Sequence, residues 1–310
     1  MRMRTVDDLQ ALLDEACRWA RESARTGKVA DYIPELAKAD PALVGIAVHT
    51  MDGRVAASGD SETPFTLQSV SKVFALAALM KVAGMKALAG MPCEPSGDAF
   101  HSIVRLEEER GHPRNPLINA GAILVSSRLP GISPEEKAAN VSGLLSDILG
   151  ADVQVDDRVY RSESATGYRN RALANYMRHF GLLDDPRAAC DAYFRQCALR
   201  MDAPALARVG LFLANGGTDP LSQHAVLPPA CARAVLALMT TCGLYDQVGE
   251  FALSVGLPAK SAVSGAILAV VPGRMSIATY GPALGLKGNS VAGMAMLEFM
   301  AGELGLSLFG

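Results

Sequence analysis

Segments typical of β-strands lie near both ends of this 310-residue chain, and the sequence between them is mostly helical in pattern. Residues 43–60, LVGIAVHTMDGRVAASGD, show apolar alternation on both sides of the Asp-Gly dipeptide at 52–53, which tolerates positive φ. They predict a β-hairpin. Residues 261–282, SAVSGAILAVVPGRMSIATYGP, contain short β-branched runs separated by Pro-Gly at 272–273. We therefore expect one sheet completed by the two ends of the chain.

The helical pattern between these segments predicts a lobe inserted into the sheet domain. An N-terminal amphipathic helix is expected at about 5–25 and a C-terminal one at 289–304. No internal repeat, linker or charge block marks a second domain, so we predict a single domain over 1–310, with a sheet core from about 41–60 and 255–308 and a helical lobe over about 65–250. The helices predicted in the lobe lie near 65–84, 115–128, 134–149, 169–181, 186–199, 203–215 and 228–241.

Composition argues against several classes of protein. Half of the residues are hydrophobic and 20% are charged, as in soluble globular proteins. The net charge of -3, with no dense run of Lys and Arg, gives no general attraction to nucleic acid or anionic lipid. No stretch approaches the roughly 20 apolar residues of a membrane helix, and the start lacks the pattern of a signal peptide. The six scattered cysteines and five isolated histidines predict neither a metal site nor a disulfide. We expect a cytoplasmic protein that binds neither nucleic acid nor membrane.

A serine and a lysine stand three residues apart at the start of the most apolar predicted helix, FTLQSVSKVFALAALM at 65–80. Positions three apart share a helix face, so Ser69 can meet Lys72 while Ser71 points elsewhere. The apolar run that follows predicts a helix buried on all sides. Burial and the positive end of the helix dipole both favour a neutral amine, which can act as a general base beside a nucleophile. S-x-x-K also arises by chance, in which case Lys72 only extends toward water.

A second motif supports the catalytic interpretation. Residues 258–267, PAKSAVSGAI, place Lys260 and Ser261 at the start of a predicted strand. A K-[ST]-G strand beside an S-x-x-K helix is the pair described for serine β-lactamases and penicillin-binding proteins. Such a strand supplies a backbone N–H near the reacting carbonyl, together with a cation and a hydroxyl. The S-D-N element of those enzymes is absent from the sequence, so a β-lactam or peptidoglycan substrate is not favoured.

Six blocks of the sequence resemble the bacterial glutaminase family, in the family's order and over almost the whole chain. The resemblance implies an α/β (α+β) fold of the serine β-lactamase/transpeptidase type, with an antiparallel sheet formed by N- and C-terminal strands. It also implies hydrolysis of L-glutamine to L-glutamate and ammonia without a metal or organic cofactor, by a homo-oligomer that is a dimer or a tetramer. The blocks are GKVADYIPELA (27–37), QSVSKVFAL (68–76), PRNPLINAGAI (113–123), SESATGYRNRALA (162–174), DAYFRQCAL (191–199) and CGLYDQVGEFALSVGLPAKSAVSGAI (242–267).

The resemblance implies a role for each matching site residue. Ser69 is expected to be the nucleophile, Lys72 its base, and Tyr193 a second group that can protonate the departing ammonia. A zwitterionic amino acid needs an acid for its ammonium group, which Glu163 can supply. Taken singly, the asparagines are as often caps, the tyrosines are more often packing residues and a lone Glu is usually solvated. The expected substrate contacts are Ser69, Asn119, Glu163, Asn170, Tyr193, Tyr245, Val263, Ser261 and Lys260.

The sequence also departs from the family's pattern. The strand usually reads K-S-G-V-G-G, whereas this chain has Ala262 and Ser264 where glycines are common. Close approach of the backbone to substrate is easier at glycine, so turnover can be altered. His101 stands where the family's pattern leads us to expect Asn. Two other hypotheses stay open at this point: a β-lactam or D-amino-acid peptide hydrolase on the same fold, and a catalytically silent binding protein.

Overall fold

The computed structural model describes residues 6–95 and 103–310. Its strands are β1 Gly45–Thr50, β2 Val55–Gly59, β3 Phe65–Thr66, β4 Arg200–Met201, β5 Ala259–Ser261, β6 Ala266–Val271 and β7 Met275–Tyr280. Five of them form an antiparallel sheet in the order β2-β1-β7-β6-β5, while β3 and β4 pair separately. Because β1 pairs with β7, the sheet joins the two ends of the chain, and the predicted fold class is confirmed.

The helices agree with most of the predicted positions. The described helices are α1 Val6–Ala24, α2 Ser71–Ala83, α3 Ile103–Glu108, α4 Asn119–Arg128, α5 Pro134–Leu149, α6 Asp157–Thr166, α7 Tyr168–His179, α8 Pro186–Cys197, α9 Ala203–Ala214, α10 Pro229–Cys242, α11 Val248–Ser254 and α12 Val291–Leu304. The sequence patterns did not predict α3, α6 or α11. Helix α6 buries only Val159 and Glu163, and most of its other residues are polar, so few apolar positions mark it in the sequence. Its N-terminus is capped by the Asp156 carboxylate.

The predicted hairpin forms at the Asp-Gly dipeptide. Gly53 has a φ of +84°, the backbone conformation for which glycine is favoured at a tight turn. The Thr50 N–H donates to the Arg54 carbonyl at 2.9 Å and closes the loop. Residues 272–273 make the corresponding turn between β6 and β7, where Gly273 also has a positive φ.

Both faces of the sheet are covered by helices. Alternate residues of a strand point to opposite faces, and β6 divides accordingly: Ile267 and Ala269 pack in the cluster under α1 and α12, whereas Leu268 and Val270 pack toward the helical lobe. Helix α9 lies against β1, β6 and β7 on the lobe side, although its sequence falls within the predicted lobe. Helix α2 begins close to this layer and is buried from Ser71 to Met80. The 3₁₀ turn Gln68–Val70 that precedes α2 lies against β5 and β6, while α2 itself packs among helices α4, α5 and α10.

The described residues bear on only some of the remaining expectations, which concern membrane helices, metal sites, His101 and the domain division. Within residues 6–95 and 103–310, no helix is long and apolar enough to cross a membrane. In the same ranges, no group of three or more His, Cys, Asp and Glu side chains is placed to hold a metal ion. His101 lies outside the described residues. The division of 1–310 into a sheet core and a helical lobe within one domain stays a prediction.

Candidate active site

Ser69 lies in a single 3₁₀ turn, Gln68–Val70, that leads directly into α2. The turn begins with Gln68 at a φ of +44°, an uncommon backbone conformation for a residue other than glycine. Ser69 is 6% exposed, so its side chain lies at the floor of a cleft rather than on the surface. The Ser69 N–H donates to no acceptor among residues 6–95 and 103–310, which leaves it available to a ligand.

Lys72 lies in the first turn of α2 and is buried, as its apolar surroundings predict. Its Nζ donates to Asn119 Oδ1 at 2.7 Å and to the Leu117 carbonyl at 3.3 Å. No hydrogen bond joins Ser69 to Lys72 within the described ranges. Burial lowers the pKa of Lys72 to about 8, because a charged amine loses hydration there, while Glu163 and Cys197 partly oppose the shift. The amine is therefore neutral in a large fraction of molecules near pH 8.

Asn119 connects the lysine to the rest of the cleft. As the first residue of α4, it directs its side chain across the cleft instead of capping its own helix. Asn119 Nδ2 donates to Asn170 Oδ1 at 2.9 Å, and Asn170 belongs to α7. The Tyr193 hydroxyl of α8 donates to Asn119 Oδ1 at 3.4 Å, and burial raises the pKa of Tyr193. Four helices thus contribute to one polar network around Lys72.

Tyr245 approaches Ser69 from the other side. It occupies a 3₁₀ turn, Tyr245–Gln247, with a φ of +56°, the second uncommon backbone conformation in the site. Burial raises the pKa of Tyr245 to about 12, although hydrogen bonds with Ser69 and Ser261 act in the opposite direction. Tyr245 is therefore the residue hydrogen-bonded to the predicted nucleophile, which sequence spacing alone did not indicate.

Glu163 presents a buried carboxyl group to the same cleft. It is 5% exposed, and its Oε2 accepts one hydrogen bond, at 3.3 Å from Gln68 Nε2. Burial raises the pKa of Glu163 to about 8, and the Gln68 hydrogen bond and the Lys72 charge only partly offset that effect. No Lys, Arg or His side chain within the described ranges lies at ion-pair distance from it. A carboxylate in this position can gain a cationic partner only from a ligand or by movement of the protein.

A cavity of about 370 Å³ brings most of the predicted residues together. Lys72 lies behind it, and Tyr245 is hydrogen-bonded to its floor. Sequence reasoning missed Gln68 and Tyr32, although both fall inside blocks that resemble the family: Gln68 binds Glu163, and the half-exposed Tyr32 stands at the mouth. Tyr32, Ile33, Gln68, Ser69, Asn119, Glu163, Thr166, Gly167, Arg169, Asn170, Tyr193 and Val263 line the cavity.

Lys260 and Ser261 lie beside this cavity rather than in its wall. Both are fully buried on β5. Lys260 Nζ donates to the carbonyls of Gly243 at 2.8 Å and Ser261 at 2.7 Å, and it lies 4.4 Å from the centre of the Tyr245 ring. Glycine is needed at 243, because a Cβ there would lie 1.7 Å from the Ala259 carbonyl oxygen. Lys260 thus holds the 243–245 loop, and with it Tyr245, against the strand.

The turn after β5 carries the two departures from the family's pattern. Val263 contributes to the cavity wall, and its N–H, like that of Ser69, has no acceptor among the described residues. Gly265 has a φ of +96°, whereas neither Ala262 nor Ser264 has a positive φ. The turn therefore does not need glycine for its backbone conformation at 262 and 264.

Comparison of the sequence with known proteins identifies the family of this chain. The glutaminase family model matches residues 27–309. The chain belongs to the glutaminase family. A glutaminase from Rhizobium meliloti (strain 1021) is 48% identical over 307 residues, covering 98% of each chain. The resemblance seen in the sequence blocks is thereby confirmed.

Solved structures of family members share the fold. A probable glutaminase, ybaS, superposes with a TM-score of 0.93 at 38% identity, over 99% of both chains. The Bacillus subtilis glutaminase YbgJ, in its covalent complex with 5-oxo-L-norleucine, superposes with a TM-score of 0.89 at 36% identity, over 97% of this chain and 100% of that one. That complex formed by reaction of the protein with 6-diazo-5-oxo-L-norleucine. A family member of this fold therefore reacts covalently with a diazoketone.

Proposed function

We propose that this chain hydrolyses L-glutamine to L-glutamate and ammonia through a γ-glutamyl ester on Ser69. The observation that carries the proposal is the convergence on one cavity of a buried serine, a network around a buried lysine, and a buried carboxyl without a cationic partner in the described residues. Glutamine supplies an ammonium group for Glu163 and a neutral amide for Ser69. Asn119, Asn170 and Tyr245 supply polar contacts for the remaining groups of the substrate.

Acylation begins with loss of the Ser69 proton. Neutral Lys72 accepts that proton as Ser69 Oγ adds to the γ-carboxamide carbon, and the N–H groups of Ser69 and Val263 stabilise the oxyanion. For this step Lys72 Nζ turns from Asn119 toward Ser69. The C–N bond then breaks as Lys72 or Tyr193 protonates the leaving nitrogen, which departs as ammonia. Water next adds to the ester carbon, with the same base taking its proton, and cleavage of the C–O bond regenerates Ser69 and releases L-glutamate.

Substrate comparison and covalent labelling test this function. The purified protein is incubated with L-glutamine, L-asparagine and a chromogenic β-lactam, and ammonia or colour is measured. We expect ammonia from L-glutamine and little turnover of the other two compounds. We also expect 6-diazo-5-oxo-L-norleucine to modify one residue, Ser69, by peptide mapping, and Ser69→Ala to lose both labelling and turnover. β-Lactam turnover without glutaminase activity would favour a peptidoglycan-type hydrolase, and no turnover at all would favour a binding protein.

We extend the proposal to the setting of the enzyme. It works in the cytoplasm as a homo-oligomer, a dimer or a tetramer, with residues 1–310 folded as one domain. Light scattering after size-exclusion chromatography gives the oligomeric mass, cell fractionation gives the compartment, and a single calorimetric transition is expected for one domain. A monomeric mass or two separate transitions would contradict the corresponding part.

A further inference from the structure

Ser71 is a buried hydroxyl beside the site that the catalytic steps above do not use. It is fully buried, and it does not line the cavity. Its Oγ donates to the Gln68 carbonyl at 2.7 Å and lies 4.0 Å from Cys197 Sγ. The Ser71 N–H donates to the same carbonyl and also to that of Ser69. One residue therefore supplies two hydrogen bonds to a single backbone oxygen.

That oxygen belongs to the peptide unit that carries the Ser69 N–H. The six atoms of a peptide are nearly coplanar, so the direction of the Gln68 carbonyl determines the direction in which the Ser69 N–H points. Donors held on the oxygen also polarise the unit and strengthen its N–H as a donor. In addition, Gln68 has a φ of +44°, a conformation that is unfavourable at a non-glycine residue and persists only where neighbouring contacts hold it.

We infer that Ser71 is a positioning residue for the oxyanion hole: its hydroxyl holds the Gln68–Ser69 peptide so that the Ser69 N–H faces the substrate carbonyl. This inference rests on the proposed function for the identity of the reaction. Because Ser71 does not reach the cavity, it acts only through the orientation of that peptide. Its contribution increases in the transition state, where negative charge develops on the carbonyl oxygen.

Ser71→Ala tests the inference against a matched control. Ser126 on α4 is also fully buried, and its hydroxyl also hydrogen-bonds to a backbone carbonyl, that of Ala122, at 2.8 Å, with Gln196 Oε1 as a second acceptor at 3.1 Å. We expect Ser71→Ala to lower kcat for L-glutamine by about 10- to 100-fold, somewhat less than the loss of an oxyanion donor, with KM changed less than about threefold. Ser126→Ala is expected to stay within about threefold in kcat. Ser71→Thr, whose hydroxyl can make the same bond to the i−3 carbonyl, is expected to recover most of the loss.

A second measurement does not depend on turnover. Hydrogen–deuterium exchange of the segment 66–72 in the ligand-free protein reports how firmly the turn is held. We expect faster exchange there in Ser71→Ala and unchanged exchange in Ser126→Ala. Unchanged exchange in Ser71→Ala overturns the inference even if the wild type shows no glutaminase activity, an outcome that would separately reject the proposed function. Equal losses of kcat in both alanine variants, or a loss of kcat in Ser71→Ala that follows only a smaller folded fraction, also overturns it.

Discussion

On the side of the sheet that α1 and α12 cover, the core cluster consists of aliphatic side chains with Met, Phe and Cys, and side chains such as Ile46 and Ile277 are fully buried. The cleft around Ser69 is buried to a similar degree, yet it contains a lysine, a carboxyl and two non-glycine residues at positive φ. The sheet side is a closed core that serves mainly for stability, whereas the cleft holds a cavity with the half-exposed Tyr32 at its mouth.

The comparison shows where this fold loses stability in return for chemistry. Buried ionisable groups and unusual backbone conformations are unfavourable in the folded state, and they persist only where surrounding contacts support them. Here they lie in or beside one cavity: Gln68 supports Glu163, Asn119 supports Lys72, and Lys260 supports the loop of Tyr245. Substitutions in the cleft should therefore affect activity first, whereas substitutions under α1 and α12 should affect stability first.

The largest effect should come from Lys72. If its neutral amine is the base, Lys72→Arg is nearly as damaging as Lys72→Ala, because a guanidinium keeps its proton at every accessible pH. We expect both variants to lose about 10²- to 10⁴-fold in kcat, the range for removal of a general base. Steady-state assays from pH 6 to pH 9 measure this. In the wild type, kcat/KM, which reports the pKa values of the free enzyme, should rise as the pH passes the Lys72 pKa of about 8.

Thermal unfolding of both Lys72 variants serves as the control, since a larger guanidinium in a buried position can disturb folding. An arginine variant that is folded and retains most of the activity would show that Lys72 acts as a fixed cation. The cleft would then differ from the sheet side because it contains a buried positive charge, and not because it contains a group that transfers protons.

A smaller effect on activity is expected for Glu163. If its carboxylate pairs with the α-ammonium of glutamine, Glu163→Gln keeps the shape of the site but removes the counter-charge. Loss of one partner of such a pair costs about 2–5 kcal/mol, so kcat/KM should fall roughly thirtyfold to several thousandfold. The loss should shrink for a γ-amide that lacks the α-amino group, which the wild type should process poorly. A kcat/KM for L-glutamine within about threefold of wild type would mean that the amino-acid pocket lies elsewhere.

On the sheet side, Ile277→Ala gives the opposite pattern. Ile277 is fully buried on β7, and its truncation leaves a cavity that costs about 2–5 kcal/mol of the free energy of unfolding. We expect kcat/KM per folded molecule to stay within about threefold. Urea unfolding and active-site titration with the diazoketone measure the two quantities separately. A tenfold loss of activity in fully folded protein would show that this face of the sheet also positions the site.

The same contrast explains what could be predicted from the sequence. Apolar alternation identified the sheet and its hairpin, and helical periodicity identified α5 and α8, because those segments follow the rules of a packed core. Helix α6 was missed because Val159 is its only buried apolar side chain, yet it carries Glu163. Glu163 itself was found only through the family resemblance. The positive φ of Gln68 and the contact of Lys72 with Asn119 depend on tertiary packing between distant segments, which no local pattern reports.

The smallest expected effect is a pH-dependent gain of stability in the ligand-free Glu163→Gln protein. Burial raises the pKa of Glu163 from 4.5 to about 8. Between these values the folded state holds a proton that the unfolded state has released, so the wild type loses stability through this group as the pH rises from about 4.5 to 8.

The glutamine side chain of the Glu163→Gln variant has no proton to lose. Its free energy of unfolding relative to wild type should therefore increase by about 1–3 kcal/mol between pH 6 and pH 9. Lys72 titrates in both proteins, and removal of the Glu163 charge lowers its pKa further, which acts on the difference in the same direction. Urea unfolding of both proteins at the two pH values measures it, and a relative stability that is flat or falls with pH would show that the Glu163 carboxylate already has a compensating partner in the free enzyme.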